Sequence, residues 1–233
     1  DRLRLELRTG EQVDAIAASH LLLAAGRQAN VEDLGLEAAG IDHTAKGIAV
    51  DTRLRTSNRR VFAIGDCTGG PQFTHVAGYH AGIVLRNALF RLSAKADHEK
   101  IPWVTFTDPE LAHAGLSEAA ARQRHGAIRI LRWPYAENDR AQAEGESHGL
   151  VKVVTTARGR ILGADIVGAH AGELIQTWSL AIAQKLKIGA MAGLVLPYPT
   201  LGEINKRAAA AYFAPKLFDP RLRKLVRFLA CFG

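Results

Sequence analysis

Cysteine is scarce in this chain of 233 residues: Cys67 and Cys231 are the two present. Thiols so far apart build neither a disulfide framework nor a zinc site, and a reduced, cytoplasmic setting is expected. Long apolar runs are missing too. None reaches the roughly 18 residues of a membrane span. The opening residues alternate charge with leucine and lack the apolar stretch of a signal peptide. Aromatic residues make up only 6%, and the lysines and arginines behind the net charge of +7 are scattered. That combination excludes the dense basic face with interleaved aromatics of a nucleic-acid binder, so no nucleic-acid partner is expected. No Gly-x-Gly-x-x-Gly occurs, so the chain has no loop of that type for a dinucleotide pyrophosphate. No closely spaced cysteine pair is there to cycle between dithiol and disulfide.

What is present is ordinary for a soluble globular chain: 48% hydrophobic and 23% charged residues. A chain of this length buries a sizeable core without staples. Leu3 to Leu7 reads as a strand, Thr9-Gly10 as a turn and Val13 to Ile16 as the returning strand. The chain opens in mid-strand and is expected to continue a longer protein. His20 to Ala25 is a short apolar run ending in Gly26-Arg27, the pattern of a strand buried on both faces. Leu34 to Ala39 predicts a short helix or turn, and Ile48 to Asp51 and Val61 to Gly65 predict further short strands. Ala77 to Leu92 has helical periodicity.

The polar stretch Ala94 to Lys100, followed by Pro102, predicts the main domain boundary. Beyond it, Val104 to Phe106 reads as a strand, Ser117 as the cap of a helix reaching His125, and Ile128 to Trp133 as a strand. Leu150 to Thr155 and Arg160 to Val167, joined around Ala157 to Gly159, predict a β-hairpin. Helices are expected over Glu173 to Leu186, Met191 to Leu196 and Ile204 to Phe213. Strands followed by helices in this order suggest an α+β unit, with helices against an antiparallel sheet. From Pro220 to Leu229 a basic amphipathic helix is predicted, with Leu222, Leu225, Val226 and Leu229 on one face. It reads either as a tail docked on the body or on a dimer mate, or as a membrane-surface element. The first is preferred, and no membrane partner is expected.

The most specific stretch is Thr56-Ser57-Asn58-Arg59-Arg60-Val61-Phe62-Ala63-Ile64-Gly65-Asp66, an apolar strand running into Gly-Asp. Glycine lets a ligand approach the backbone, and an aspartate at a strand's C-terminal end sits where open α/β sheets bind ligands. Its carboxylate can accept from a sugar-like hydroxyl. A strand-ending turn with a capping aspartate is the plainer alternative.

This stretch resembles the second FAD-binding motif of the pyridine nucleotide–disulfide oxidoreductases. The likeness extends along most of the chain. Leu21-Leu22-Leu23-Ala24-Ala25-Gly26-Arg27-Gln28-Ala29-Asn30 resembles the return from the NAD(P) domain to the FAD domain. Phe106-Thr107-Asp108-Pro109-Glu110 resembles the opening of the interface domain. Gly163 to Gly168, followed by Ala171-Gly172-Glu173-Leu174-Ile175, resembles its central hairpin and helix. Pro197-Tyr198-Pro199-Thr200-Leu201-Gly202-Glu203 resembles its C-terminal active-site loop. The resemblance implies three segments: residues 1–25 ending an NAD(P)-binding domain, 26–98 completing an α/β FAD-binding domain, and 99–233 forming an α+β homodimerisation domain. FAD is the implied cofactor, with NAD(P)H in the full-length parent.

Within the family the nearest likeness is to mercuric reductases, through Gly65-Asp66-Cys67-Thr68-Gly69-Gly70-Pro71-Gln72-Phe73. The resemblance gives Asp66 the role of hydrogen-bonding the ribityl chain, next to Gly65, with Gly26 at the return segment. Phe73, Thr74, His75 and Val76 then open the helix whose N-terminal amides and positive dipole end face the flavin's pyrimidine edge. His75 is expected to act there through backbone alone.

Many relatives carry a catalytic histidine in the C-terminal loop, oriented by a glutamate. Here Tyr198 replaces it while Glu203 keeps the glutamate position. A phenol with a pKa near ~10 is a poor base but a serviceable hydrogen-bond donor to a thiolate or a soft metal; simple interface packing is the alternative. Mercuric reductases end in two adjacent cysteines, whereas this chain has Ala230 before Cys231. Cys231 is therefore either a single soft-metal ligand or an ordinary thiol. Cys67 is expected to be a buried small residue.

Overall fold

The computed structural model describes residues 3–217 and 219–232. It divides into two compact units, residues 1–72 and 73–233. Each is considered by itself.

The first unit opens with strands β1 (Leu3–Thr9) and β2 (Gln12–Ala18), paired antiparallel with Leu5 opposite Ile16. Both strands are largely exposed, as a two-stranded ribbon has no third layer to pack on. The buried strand predicted over His20 to Ala25 is not formed. That segment is irregular and pairs with no described strand, and Leu22 and Leu23 are 86% and 83% exposed. An apolar run becomes a strand only when a neighbouring ladder takes up its backbone groups.

Leu34 to Ala39 forms successive turns, closed by the Ile41 amide donating to the Leu36 carbonyl at 2.8 Å. Two very short strands follow, β3 (His43–Thr44) and β4 (Gly47–Ile48), so the strand expected from Ile48 onward ends almost as it begins. The strand expected over Val61 to Gly65 is reduced to one bridge between Arg55 and Phe62, and Gly65–Thr68 coils into a 3-10 turn. Ala29, Val31, Leu36, Ile41, Ile48 and Ala63 make the small core of this unit.

The second unit starts with α1 (Thr74–Ala88). Five antiparallel strands then form one sheet: β5 (Trp103–Thr105), β6 (Glu110–Gly115), β7 (Ile128–Pro134), β8 (Leu150–Thr156) and β9 (Ile161–Gly168), in the order β5-β6-β9-β8-β7. Strand β6 was not predicted. Its Ala-His-Ala-Gly centre has little strand propensity, and pairing with β5 on one side and β9 on the other decides the matter.

Helices α2 (Glu118–His125), α3 (Asp139–Glu144), α4 (Ala171–Ala183), α5 (Ile188–Ala192), α6 (Glu203–Ala210), α7 (Ala214–Leu217) and α8 (Pro220–Leu229) complete the unit. The hydroxyl of Ser117 caps α2 by accepting from the Ala120 amide, as its sequence position predicts. Helix α5 begins three residues earlier than predicted, and α3 was missed.

The core lies between the sheet and α4 with α6. Ala112, Ala164, Val151 and Ile166 face Ile175 and the fully buried Trp178. The Trp178 indole donates to Asn205 Oδ1 at 2.7 Å, and Asn205 Nδ2 donates to the Leu174 carbonyl at 2.9 Å, so the side-chain polar atoms of this buried pair are satisfied. At the end of β9 only glycine fits. Gly168 has φ 149°, and a Cβ there would sit 2.6 Å from Cε2 of the buried Tyr135 ring.

Candidate functional site

In the first unit, the end of the apolar run places Gly65 at φ 68°, in the left-handed region, where it turns the chain into the 3-10 coil. Asp66 follows. Its carboxylate is about half exposed (45%) and meets Arg27 Nη1 at 3.5 Å, while Arg27 also donates to the Gln72 carbonyl. An ion pair at that length leaves carboxylate lone pairs for other donors. Gly26, at φ 116° with open space about its Cα, brings Arg27 into this position. Asp66 follows Gly65 directly, and Arg27, which follows Gly26, reaches its carboxylate. Arg27 had been read only as the end of a turn; a cation directly after an irregular glycine was the available signal. Cys67 is half-buried, less than expected, and its thiol donates to the Ile64 carbonyl at 3.2 Å.

In the second unit, Phe73 is the residue before α1, in extended conformation, and no side chain caps the helix. Thr74 and His75 are exposed, and Val76 is buried and anchors the first turn. The rings of Phe73 and His75 stack at 5.2 Å. His75 Nε2 lies 2.8 Å from the Pro102 carbonyl, and a carbonyl can only accept, so this nitrogen carries the proton. The histidine side chain is thus committed to a structural bond. Phe73, His75, Trp103, Phe106 and Ile175 line an apolar recess of about 570 Å3.

The loop from Pro197 to Gly202 is held from an unexpected side. Asn138 is the N-cap of α3 and almost wholly buried. Its Oδ1 accepts from the Ala141 amide at 3.0 Å, and its Nδ2 donates to the Thr200 carbonyl at 3.2 Å. The next residue, Asp139, accepts from the Tyr198 hydroxyl at 2.9 Å. Tyr198 is 68% exposed. The hydrogen bond to Asp139 and its charge, with Glu203 adding to the negative field, push the phenol above its ordinary value. It is a neutral donor and not a base. Glu203 opens α6, half-buried, in the first turn where an acidic residue suits the dipole. Asn138-Asp139 before Arg140-Ala141-Gln142 is a helix-start signature that the sequence offered.

Two further points concern charge. His113 on β6 lies with Nδ1 2.6 Å from Asp165 Oδ1 and Nε2 2.9 Å from the Gly115 carbonyl. Both partners are acceptors, so satisfying both needs the doubly protonated imidazolium. Burial lowers its pKa, but the hydrogen bonds to Asp165 and Gly115 outweigh that and raise it. Cys231 follows α8, exposed, with its thiol donating to the Arg227 carbonyl at 3.4 Å. No described contact joins it to Tyr198 or Glu203. Among the described residues no group of three or more His, Cys, Asp or Glu is arranged to hold a metal ion, and no helix is long and apolar enough to cross a membrane.

Comparison with known proteins agrees with this architecture. Residues 101–209 match the family described as pyridine nucleotide-disulphide oxidoreductase, dimerisation domain, and residues 1–81 match pyridine nucleotide-disulphide oxidoreductase. A mercuric reductase of Staphylococcus aureus is 38% identical over 210 residues, covering 89% of this chain and 38% of the relative. A dihydrolipoyl dehydrogenase of Bacillus subtilis is 37% identical over 196 residues, covering 83% and 42%. The chain thus spans about two fifths of the length of the curated relatives it matches. Among solved structures, LpdA from Mycobacterium tuberculosis superposes with a TM-score of 0.78 at 28% identity, covering 88% of this chain and 46% of that one. The Cu(II) complex of the HOCl-induced flavoprotein disulfide reductase RclA from Escherichia coli gives 0.79 at 26%, covering 89% and 47%.

Proposed function

This chain belongs to the pyridine nucleotide–disulphide oxidoreductase family, and on that premise we propose that it forms part of the FAD site and the homodimer contact of a longer enzyme. That enzyme passes electrons from NAD(P)H, through FAD and a dithiol, to a metal ion or a disulfide. Residues 1–25 would close the NAD(P)-binding domain, 26–98 complete the FAD-binding domain and 99–233 dimerise. FAD, when bound, supplies hydride acceptance and onward electron transfer; the protein's contribution is binding, orientation and electrostatics.

The observation that carries the reading is the Asp66 carboxylate, set on a left-handed glycine, half-exposed and with lone pairs to spare. These residues fit a polyhydroxylated chain: Asp66 accepts from its hydroxyls while Arg27 holds the carboxylate in place. In the second unit the first amides of α1, at Thr74 and His75, suit a group that becomes anionic on reduction, while the Val76 amide donates to the Phe73 carbonyl at 3.0 Å. Tyr198 is the candidate hydrogen-bond donor to a thiolate or soft-metal complex; Asp139 holds its one hydroxyl proton, which turns from that carboxylate to the acceptor when the acceptor binds. Glu203 acts as a positioning residue beside it. Phe106, Leu180, Val195 and Tyr198 are large apolar or aromatic side chains left exposed on the second unit, the kind of surface a second copy covers.

In the full-length enzyme Asp66→Ala should weaken FAD retention by at least about tenfold, one charged hydrogen bond's worth of ~1.5 kcal/mol or more. Unchanged flavin content after exhaustive dialysis would refute the assignment. A second reading, a dimerisation module without activity of its own, is favoured by the self-sufficient core around Trp178. The purified chain supplemented with FAD and NAD(P)H should show no disulfide reductase turnover; turnover would contradict both readings of the isolated chain.

A further inference from the structure

The apolar face of α8 is uncovered. Leu225, Val226 and Leu229 are 50%, 56% and 56% exposed, and Phe228 and Phe232, packed edge to face at 5.0 Å, are 61% and 74% exposed. Of the two dockings that the sequence suggests for this tail, on the body or on a dimer mate, the first requires these side chains to be buried within this chain, and they are not. Helical spacing puts Leu222, Leu225, Val226 and Leu229 within one stripe and Arg223, Lys224 and Arg227 on the other side. From Pro220 to Leu229 there is no acidic residue. The first turn is closed by the Arg223 amide donating to the Asp219 carbonyl at 3.1 Å.

We propose that α8 is an interfacial helix that lays its leucine and phenylalanine face into an anionic lipid surface, with Arg223, Lys224 and Arg227 at the headgroups. Charge chooses among the occupants. Laid against the α8 of a second copy, Arg223, Lys224 and Arg227 would meet their own kind with no acidic residue between them, so α8 is a poor cover for itself. Size points the same way. Ten residues of helix are about 15 Å long and roughly 10 Å wide, so α8 alone offers far less than the ~800 Å2 per partner of a stable protein interface. Reversible adsorption to a bilayer needs less: an apolar strip a few ångströms deep plus a cluster of cations, each adding to the pull of acidic headgroups. Attachment of this kind is peripheral and places no span in the membrane.

The test is co-sedimentation of the protein with sucrose-loaded vesicles. One set is pure phosphatidylcholine and the other is equal parts phosphatidylcholine and phosphatidylglycerol, at about 0.1 M and about 0.5 M salt. The protein is expected in the pellet only with the anionic vesicles, and to be released by the higher salt. Each cation neutralised should weaken partition about fivefold, so Arg223→Gln, Lys224→Gln and Arg227→Gln together should weaken it on the order of a hundredfold. Val226→Asp, an exposed position that spares the charges, should abolish binding while circular dichroism and the sedimentation coefficient in solution stay unchanged. Equal sedimentation with both vesicle types overturns the proposal, as does a triple variant that pellets like the parent. If Val226→Asp instead converts a dimer to a monomer and leaves vesicle binding intact, the face belongs to a second copy and the proposal fails.

Discussion

The two units solve the problem of burial differently. In the second, twenty buried residues form one cluster in which Trp178, Tyr135, Ile166 and Ile204 reach essentially zero exposure. In the first, one cluster of six residues is still 6–7% exposed at each position, Leu54 is fully buried outside it, and Leu3, Leu7, Val13, Ile16, Leu22 and Leu23 lie on the surface. The second unit thus carries its own stability. The first consists of turns and short strands whose chemistry sits at their ends, at Arg27 and Asp66. On the proposed function the contrast has a meaning: the second unit would hold a dimer together and the first would present groups to a cofactor.

The largest expected effect lies in the sheet-and-helix core. Trp178→Ala removes a fully buried ring and leaves Asn205 without its indole donor, and should cost about 3–5 kcal/mol in urea unfolding. The matched probe in the first unit, Leu36→Ala, should cost about 2 kcal/mol or less, since its site is shallower and can relax. Equal losses would erase the contrast between the units.

A smaller effect, on function, is expected at Tyr198. In the full-length enzyme Tyr198→Phe should lower kcat/KM for a soft-metal or thiol-reactive acceptor about tenfold, one donor's worth of ~1.4 kcal/mol. Flavin reduction by NAD(P)H, followed by stopped flow, should be nearly unchanged. Wild-type turnover with every such acceptor would reduce Tyr198 to packing and to its bond with Asp139.

The smallest effect is a pH dependence confined to the second unit. His113 faces Asp165 on β9, with Lys152 on β8 bridging Asp165 to Glu118 of α2 at 3.8 and 3.1 Å, and Trp103 stacks on its ring. Its folded-state pKa lies above the ordinary 6.5. The imidazolium's contribution is therefore complete below that ordinary value and is lost as pH rises through the raised one. Melting temperature should decline across that window, and the decline should vanish in His113→Gln. A wild-type curve flat through neutral pH would show that the geometry does not hold a cation.

Much of the second unit was legible because its signals are local: Ser117 before α2, alternating apolar residues in β8 and β9, and a turn at Ala157 to Gly159. Strand β6 was not, since Ala112-His113-Ala114-Gly115 becomes extended only by lying between β5 and β9. His20 to Ala25 erred the other way, because an apolar run names a burial it cannot supply by itself. At the site, Gly65-Asp66 could be read from a short motif. The bond between Asp139 and Tyr198 could not, because it joins segments far apart in the chain and rests on the six-residue helix α3. The double-acceptor surroundings of His113 likewise come from strand register and leave no mark in sequence spacing.

On the proposed function the second unit pairs with a copy of itself. Light scattering on the purified chain at micromolar concentration tests it most directly. A mass twice that of one chain, from an interface on the order of 2,000 Å2 or more, is the predicted result; a monomer at that concentration would contradict it.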